Sequence, residues 1–191
     1  MANKVTYGLS NTHVWPITST DDDGVPTYGA IINMPGAVDL SLDAEGSTDP
    51  FYADDGIYYN GTANNGYSGS LTIADIPEDF LQTVMGEIED ANGAKFESAD
   101  AQPLEFAIAF EFKGDASKRR HVFYRCYASR TAVESSTKED SVTPNTPELS
   151  FSAYPRIDNG MVKARAEESD AAYADWYGTT PYEYTESSAA G

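Results

Sequence analysis

Basic residues are scarce in this sequence. It contains 12 Lys and Arg against 31 Asp and Glu in 191 residues, which gives a formal net charge of -19. Proteins that bind DNA or RNA gain much of their affinity by neutralising phosphates with Lys and Arg side chains. The charge balance therefore argues strongly against a role as a direct nucleic-acid-binding protein.

Cysteine and long hydrophobic runs are scarce as well. Cys126 is the only cysteine, so no disulfide can form within one chain, which is typical of proteins made in a reducing compartment. No run approaches the roughly 20 apolar residues that a membrane-spanning helix needs. We therefore expect neither a disulfide framework nor a membrane partner.

Large aliphatic residues are few, but aromatic residues are not. Leu, Ile, Val and Phe make up 33 of the 191 residues, a share that borders on that of disordered chains when the net charge is this high. The 13 Tyr residues favour a folded protein, because Tyr combines an apolar ring with a polar hydroxyl and suits β-sheets and interfaces. We interpret the chain as a β-protein that buries surface against neighbours.

Alternation of apolar and polar residues predicts five strands. The clearest pattern is in residues 104–112, where Leu104, Phe106, Ile108, Phe110 and Phe112 would share one face. Residues 122–128 predict a second strand, and the two should form a hairpin. Shorter patterns of the same kind predict three further strands at residues 38–42, 69–73 and 149–153. Asn159-Gly160 predicts a tight hairpin turn.

One helix is predicted, and it sets the fold class. Pro77 would start it, an apolar stripe of Phe80, Leu81, Val84 and Met85 would be buried, and Gly86 would end it. One helix against at least five strands predicts a mainly β fold, an antiparallel β-sandwich or barrel with one flanking α-helix. We expect a single domain over residues 1–184 and a disordered C-terminal tail over residues 185–191.

Two connections, residues 43–67 and 130–147, are too long for ordinary loops of a compact domain. The first is rich in aromatic residues, which favours an arm that docks on another subunit over a flexible surface loop. The candidate interface residues on it are Phe51, Tyr52, Tyr58, Tyr59 and Tyr67.

Charge is segregated along the chain. Residues 5–94 contain 15 Asp and Glu but no Lys or Arg, and seven of the 12 basic residues fall between Lys113 and Lys138. This polarity predicts head-to-tail self-association, in which the acidic part of one copy faces the basic hairpin of the next. The alternative is a solvated acidic surface. The basic interface candidates are Lys118, Arg119, Arg120 and Lys138.

Catalytic and metal-binding motifs are not evident. Asp21-Asp22-Asp23-Gly24 departs from the calcium-loop spacing, and neither His13 nor His121 has a second ligand at a recognisable distance along the sequence. Cys126 lies mid-strand and is better explained as a packed side chain than as a nucleophile. We therefore expect no enzymatic activity, no cofactor and no metal.

Several stretches of the sequence occur together in one protein family. They are Tyr67-Ser68-Gly69-Ser70-Leu71, then Ile76-Pro77-Glu78-Asp79-Phe80-Leu81 with Gly86-Glu87, then Lys118-Arg119-Arg120-His121-Val122-Phe123-Tyr124, and residues 133–144 with residues 149–156 behind them. Through them most of the chain resembles the major tail proteins, or tail tube proteins, of bacteriophages with long non-contractile tails.

The resemblance implies a structural virion protein that assembles into hexameric rings, stacked into the tail tube through which DNA passes into the host. The implied partners are further copies of the chain, the tape-measure protein, the tail terminator and the distal tail or tail-tip proteins, with DNA only in transit. The implied location is the virion tail, after assembly in the host cytoplasm. A capsid or virion-surface decoration protein is the alternative.

A DNA conduit needs a wall that does not bind DNA, and carboxylates supply this by repulsion over about 8 Å at physiological salt. Glu105 and Glu111 lie opposite the apolar face of their predicted strand. They are therefore candidates for a surface outside the core, either lumenal or external.

Overall fold

The computed structural model describes residues 7–132 and 146–186. These residues form eleven β-strands, one α-helix and one 3-10 helix. In chain order the elements are β1 Leu9–Thr20, β2 Pro26–Tyr28, β3 Ile32–Asn33, β4 Ala37–Ala53, β5 Gly56–Ile73, α1 Glu78–Thr83, β6 Ile88–Glu89, β7 Lys95–Phe96, β8 Phe106–Phe112, β9 Arg120–Ala128, β10 Glu148–Ala153, β11 Lys163–Ala166 and the 3-10 helix Ala171–Tyr173.

Nine of the strands form one antiparallel sheet. Its order is β2-β1-β8-β9-β10-β5-β4, with β3 also paired to β1 and β11 also paired to β9. Strands β10 and β11 pair with successive parts of the same edge of β9. Strands β1 and β4 stand far apart in this order yet contact each other, so the sheet curls around the core. Strands β6 and β7 form a separate two-stranded sheet.

The main core lies between the sheet and α1. Phe80 of α1 packs edge-to-face on Phe106 of β8, with ring centroids 5.6 Å apart. The buried side chains of this core include Val14, Ile32, Met34, Leu71, Ile73, Ile76, Phe80, Val84, Phe106, Ile108, Phe110, Phe123, Cys126, Leu149, Phe151 and Val162. The expected fold class, mainly β with antiparallel strands and one flanking helix, is confirmed.

The predicted strands at residues 38–42, 69–73, 122–128 and 149–153 lie within β4, β5, β9 and β10. The predicted strand at residues 104–112 corresponds to β8, which begins only at Phe106, and the predicted helix is α1. Gly86 follows the helix with φ +80°, a conformation that favours glycine at a helix end. Gly160 has φ +70°, and its N–H donates to the Arg156 carbonyl at 3.1 Å. The predicted turn at Asn159-Gly160 is therefore present, although it joins irregular segments and not two strands.

A second buried cluster lies on the opposite face of β1, β8 and β9. Ala107 and Ala109 of β8 face this cluster, so both faces of β8 are buried and not only the one that alternation indicated. The covering layer is an irregular C-terminal segment, residues 167–186, which we call the strap. Trp176 of the strap is 1% exposed and packs within this second cluster.

The prediction of a loop over residues 43–67 is wrong in secondary structure. Strands β4 and β5 pair continuously from Ala37 and Ile73 out to Ala53 and Gly56. Beyond Tyr67, β5 pairs only with β4, because its pairing with β10 stops there. Residues 45–66, which we call the arm, thus form a two-stranded ribbon on the order of 35 Å long.

The arm was missed because its described side chains are exposed on both faces of the ribbon. Apolar alternation marks a strand only where one face is buried. The second predicted long connection, residues 130–147, lies for the most part outside the described residues.

A β-bulge marks the root of the arm. Glu45 pairs with Gly66 and Gly46 pairs with Asn64, which leaves Asn65 as an extra residue in β5. Gly66 has φ +101°, and a Cβ built on it would lie 1.9 Å from the Ala153 carbonyl oxygen. The bulge and the close approach to β10 both require glycine here.

We predict that Gly66→Ala lowers the free energy of unfolding by about 2 kcal/mol or more, since the added methyl meets backbone and the backbone angle is strained. Urea unfolding followed by circular dichroism measures this. Gly56→Ala in the same hairpin is the control, because nothing lies within 4 Å of its added Cβ. Equal unfolding midpoints for the two variants would contradict the steric role of Gly66.

Candidate assembly surfaces

The arm carries exposed aromatic side chains. Tyr58 is 76% exposed and Tyr59 is 66% exposed. Both lie on β5 near the tip of the arm, where a register shift leaves Tyr58 without a paired residue in β4. Phe51 and Tyr52 lie in β4, but their side chains are outside the described part of the structure. A two-stranded ribbon is only marginally stable in water, and this makes the arm a candidate assembly surface.

The tip of the arm is a two-residue turn with two adjacent carboxylates. Ala53 pairs with Gly56, and the residues between them have positive φ angles, +50° for Asp54 and +60° for Asp55. Two consecutive positive φ angles define a type I′ turn, where Asn-Gly is the favoured pair. Both Asp residues are exposed, so the tip concentrates negative charge.

Tyr67 belongs to the body of the protein and not to the exposed arm. Its ring packs edge-to-face on Phe123 at 5.2 Å between centroids, and the Lys163 ammonium lies 4.4 Å from the Tyr67 ring centroid. Tyr67 is the residue at which β10 pairing ends, so the core and the sheet hold it. Part of this ring is thus used within the chain, and a role of Tyr67 at an interface stays a prediction.

The basic hairpin is neutralised within its own chain. Lys118 pairs with Glu168 of the strap, and the Arg119 Nε donates to Glu167 Oε1 at 3.0 Å. Both cations therefore already have a carboxylate partner in their own chain, and their contact with the next copy stays a prediction. The remaining basic candidate, Lys138, lies outside the described residues.

Arg120 holds the strap most extensively. Its Nη1 donates to the Tyr173 carbonyl at 2.6 Å, and its Nε donates to Glu111 at 3.2 Å. The guanidinium carbon also lies 3.7 Å from the Tyr173 ring centroid and 4.9 Å from that of Tyr177. This combination of charge-assisted hydrogen bonds and cation–π contacts is worth more than an exposed ion pair.

Both tryptophans help to hold the strap against the sheet. Trp15 Nε1 donates to the Gly178 carbonyl at 3.2 Å, and Trp176 stacks on Tyr182 with centroids 5.5 Å apart. The Tyr124 hydroxyl donates to the Tyr182 carbonyl at 2.6 Å, and burial raises the pKa of Tyr124 to about 12. The hydroxyl therefore stays protonated as a donor over the whole physiological range.

The end of the strap is tied to a buried arginine. The Arg156 side chain is 4% exposed and forms two hydrogen bonds with Asp158, at 2.9 and 2.6 Å, and one with Glu183 at 2.9 Å. The hydrogen bonds from Arg156 hold the pKa of Asp158 below its usual 3.8. Because the folded-state pKa is depressed, this pair stabilises the fold at neutral pH and loses that contribution as the pH falls through it.

Glu105 and Glu111 do not present free negative charge. Glu105 accepts two hydrogen bonds from Arg125, at 2.8 and 2.7 Å, and Glu111 pairs with Arg120. Both carboxylates are half-buried at the edges of the strap-covered face. Their position outside the main core is as expected, but their charge is balanced locally.

A different surface has the polar character expected of a non-adhesive wall. The outward side chains of β10, β5 and the inner part of β4 are small hydroxyls and carboxylates, and the strap does not cover them. This surface, which we call the open face, consists of Asp39, Ser41, Asp43, Ser68, Ser70, Thr72, Glu148, Ser150 and Ser152. The buried residues between them, such as Leu149 and Phe151, face the core.

Sequence reasoning missed the open face and also a pair of cations on β11. Seven of the ten Lys and Arg in the described ranges form ion pairs. In residues 7–132 and 146–186, Lys113, Lys163 and Arg165 have no carboxylate within ion-pair distance. The sequence signal for the two β11 cations was the alternation of cations and alanines in Lys163–Ala166.

Reactive side chains are placed for packing. Cys126 is fully buried, and burial raises the pKa of its thiol well above the usual range. Burial, and next the charge of Arg165, lowers the pKa of the half-buried His121 below 6.5. Asp21 accepts hydrogen bonds from the N–H groups of Asp23 and Val25, so it shapes the turn before β2.

Two searches of the described ranges were negative. Across residues 7–132 and 146–186, no three His, Cys, Asp or Glu side chains are grouped closely enough to hold a metal ion. Within the same part of the chain, no helix is both long and apolar enough to cross a membrane.

Comparison with known proteins adds no family assignment. No family model matches the chain, and no curated protein is significantly similar to it.

We predict that Arg120→Ala loosens the strap, lowering the free energy of unfolding by about 2 kcal/mol because several buried contacts are lost together. The tryptophan emission maximum should also shift to the red, since both tryptophans pack against the strap. Arg130→Ala is the matched control: its single exposed pair with Glu97 should contribute less than about 0.5 kcal/mol. Identical emission spectra for the two variants would count against a strap held by Arg120.

Proposed function

We propose that this protein is a structural subunit of a bacteriophage tail tube, assembling into stacked hexameric rings that form the conduit for DNA. The observation that carries the proposal is the arm, a long ribbon of 22 residues with exposed tyrosines and no cover from the described residues of its own chain. A ribbon of this kind gains stability only when another surface packs on it.

The open face supports the proposal through its chemistry. It combines carboxylates with small hydroxyl side chains on a sheet surface that the strap leaves exposed. A tube lumen of this composition repels DNA phosphates and offers no cations to retain them. We therefore assign the lumen to the open face in place of Glu105 and Glu111, whose charges Arg125 and Arg120 balance.

The sequence resemblance supports the proposed partners. Residues Ile76 to Leu81, which contribute to the resemblance, include the start of α1, and residues 149–156 include most of β10. In the tube, the partners are further copies of the chain, the tape-measure protein in the lumen, and the terminator and tail-tip proteins at the two ends. DNA passes through without sequence recognition, which agrees with the net charge of -19.

The first experiment is negative-stain electron microscopy of the concentrated full-length protein, alone and with its tail-tip initiator and tape-measure protein. We expect six-fold rings and hollow tubes in at least one condition. Monomers in both conditions would overturn the tube proposal and favour a decoration protein, which would bind capsids without forming tubes.

The lumen assignment has its own prediction. Ser41→Lys with Ser150→Lys places cations on the open face, and we expect virions with this variant to release DNA severalfold more slowly because the phosphates are attracted to the wall. Timed DNA release after triggering measures this. Thr20→Lys with Asn92→Lys adds the same charge at exposed positions outside the open face, and equal release from the two variants would contradict the assignment.

A further inference from the structure

The cations on β11 form a pair on one side of an edge strand. Lys163 and Arg165 are two residues apart, so their side chains project to the same face about 6.8 Å from each other along the strand. Both are exposed, whereas Ala164 and Ala166 between and beside them pack into the second cluster. We call Lys163 and Arg165 the cation pair.

The environment of the cation pair is aromatic, and no described carboxylate lies within ion-pair distance of either cation. Lys163 lies over the Tyr67 ring, and Arg165 pairs in register with His121, which stacks on Phe110 with centroids 5.4 Å apart. In the described ranges, every other Lys or Arg except Lys113 has an acidic partner. The cation pair is thus available to an anionic ligand from outside the chain.

The arm tip supplies a matching anionic group. Asp54 and Asp55 are adjacent and exposed, and a type I′ turn would be better served by Asn-Gly than by two carboxylates that repel each other. Residues 5–94 hold no Lys or Arg, so nothing along the arm offsets this charge. Two carboxylates on neighbouring residues can each reach one of two cations about 6.8 Å apart.

We propose that the arm tip of one copy, through Asp54 and Asp55, docks on Lys163 and Arg165 of a second copy. The contact rests on the proposed self-assembly and specifies the charged groups that join successive subunits. It is head-to-tail, because each chain carries both the acidic tip and the cation pair. In this contact the cation pair, and not Lys118 and Arg119 of the basic hairpin, binds the acidic part of the next copy.

The first test removes the carboxylates without harming the turn. Asp54→Asn with Asp55→Asn keeps the shape of both side chains and suits the left-handed backbone, so the urea unfolding midpoint should be unchanged or higher. The critical concentration for assembly, measured by pelleting and negative-stain microscopy, should rise about tenfold, because the charge pairs repeat in every subunit contact.

Asp22→Asn with Asp23→Asn is the matched control, since it removes an equal charge from an exposed turn outside the arm. It should leave the critical concentration within about twofold of the wild type. A critical concentration that is the same for both double variants would overturn the proposed contact.

Charge exchange provides the second test. Lys163→Glu with Arg165→Glu should raise the critical concentration at least as much, and adding Asp54→Lys with Asp55→Lys in the same chain should restore assembly. Lys95→Glu with Arg130→Glu changes the net charge equally at cations that already pair with Glu89 and Glu97, and should have little effect. Failure of the four-substitution chain to recover would overturn the direct pairing.

A pairwise measurement separates this contact from the tube proposal. The D54N/D55N chain retains the cation pair, and the K163E/R165E chain retains the acidic tip. A mixture of the two should sediment at low salt as a dimer that neither forms alone and that dissociates in high salt. Absence of this dimer overturns the contact, whereas tube formation by the wild type is scored independently.

Discussion

A two-stranded β-ribbon cannot enclose a core, and this constraint separates the molecule into two parts. The inner halves of β4 and β5 are stabilised by β10 and by the buried side chains beneath them. Among the described residues, the arm beyond Gly66 is paired only between its own two strands. The body of the protein therefore has a buried core of its own, while the arm has little beyond its own strand pairing to stabilise it, and this is why the proposed assembly contacts include the arm.

The scarcity of cations shapes the surface of the body. Arg119, Arg120 and Arg156 hold an irregular strap over a sheet face that contains Trp15 and Tyr124. The strap covers this side in place of a second packed sheet. Its Glu167 and Glu183 pair with Arg119 and Arg156, whereas Arg120 pairs with Glu111 of β8. The described surface that remains is strongly acidic with few exceptions, and these exceptions are the places where the proposed self-association can seat another acidic chain.

The sequence predicted strands well where one face of the strand is buried and the other face is exposed. Residues 149–153 alternate between core and solvent, and residues 104–112 place three phenylalanines on the core side. It predicted the arm poorly as structure, since both faces of the ribbon meet solvent and no apolar period arises. The aromatic content of residues 43–67 still indicated an exposed docking segment, although Tyr67 packs in the body of the same chain.

By itself, the sequence determined the fold class, the single helix, the acidic character and the lack of a catalytic pattern, because these depend on local periodicity and composition. Only the tertiary structure decided which charges remain available. Lys118 and Arg119 are consecutive and conspicuous, yet Glu168 and Glu167 of the strap, about 50 residues later in the chain, pair with them. Lys163 and Arg165 are inconspicuous in sequence and become exposed cations without a carboxylate partner among the described residues, because their strand adds to the edge of β9 with its alanines facing the second buried cluster.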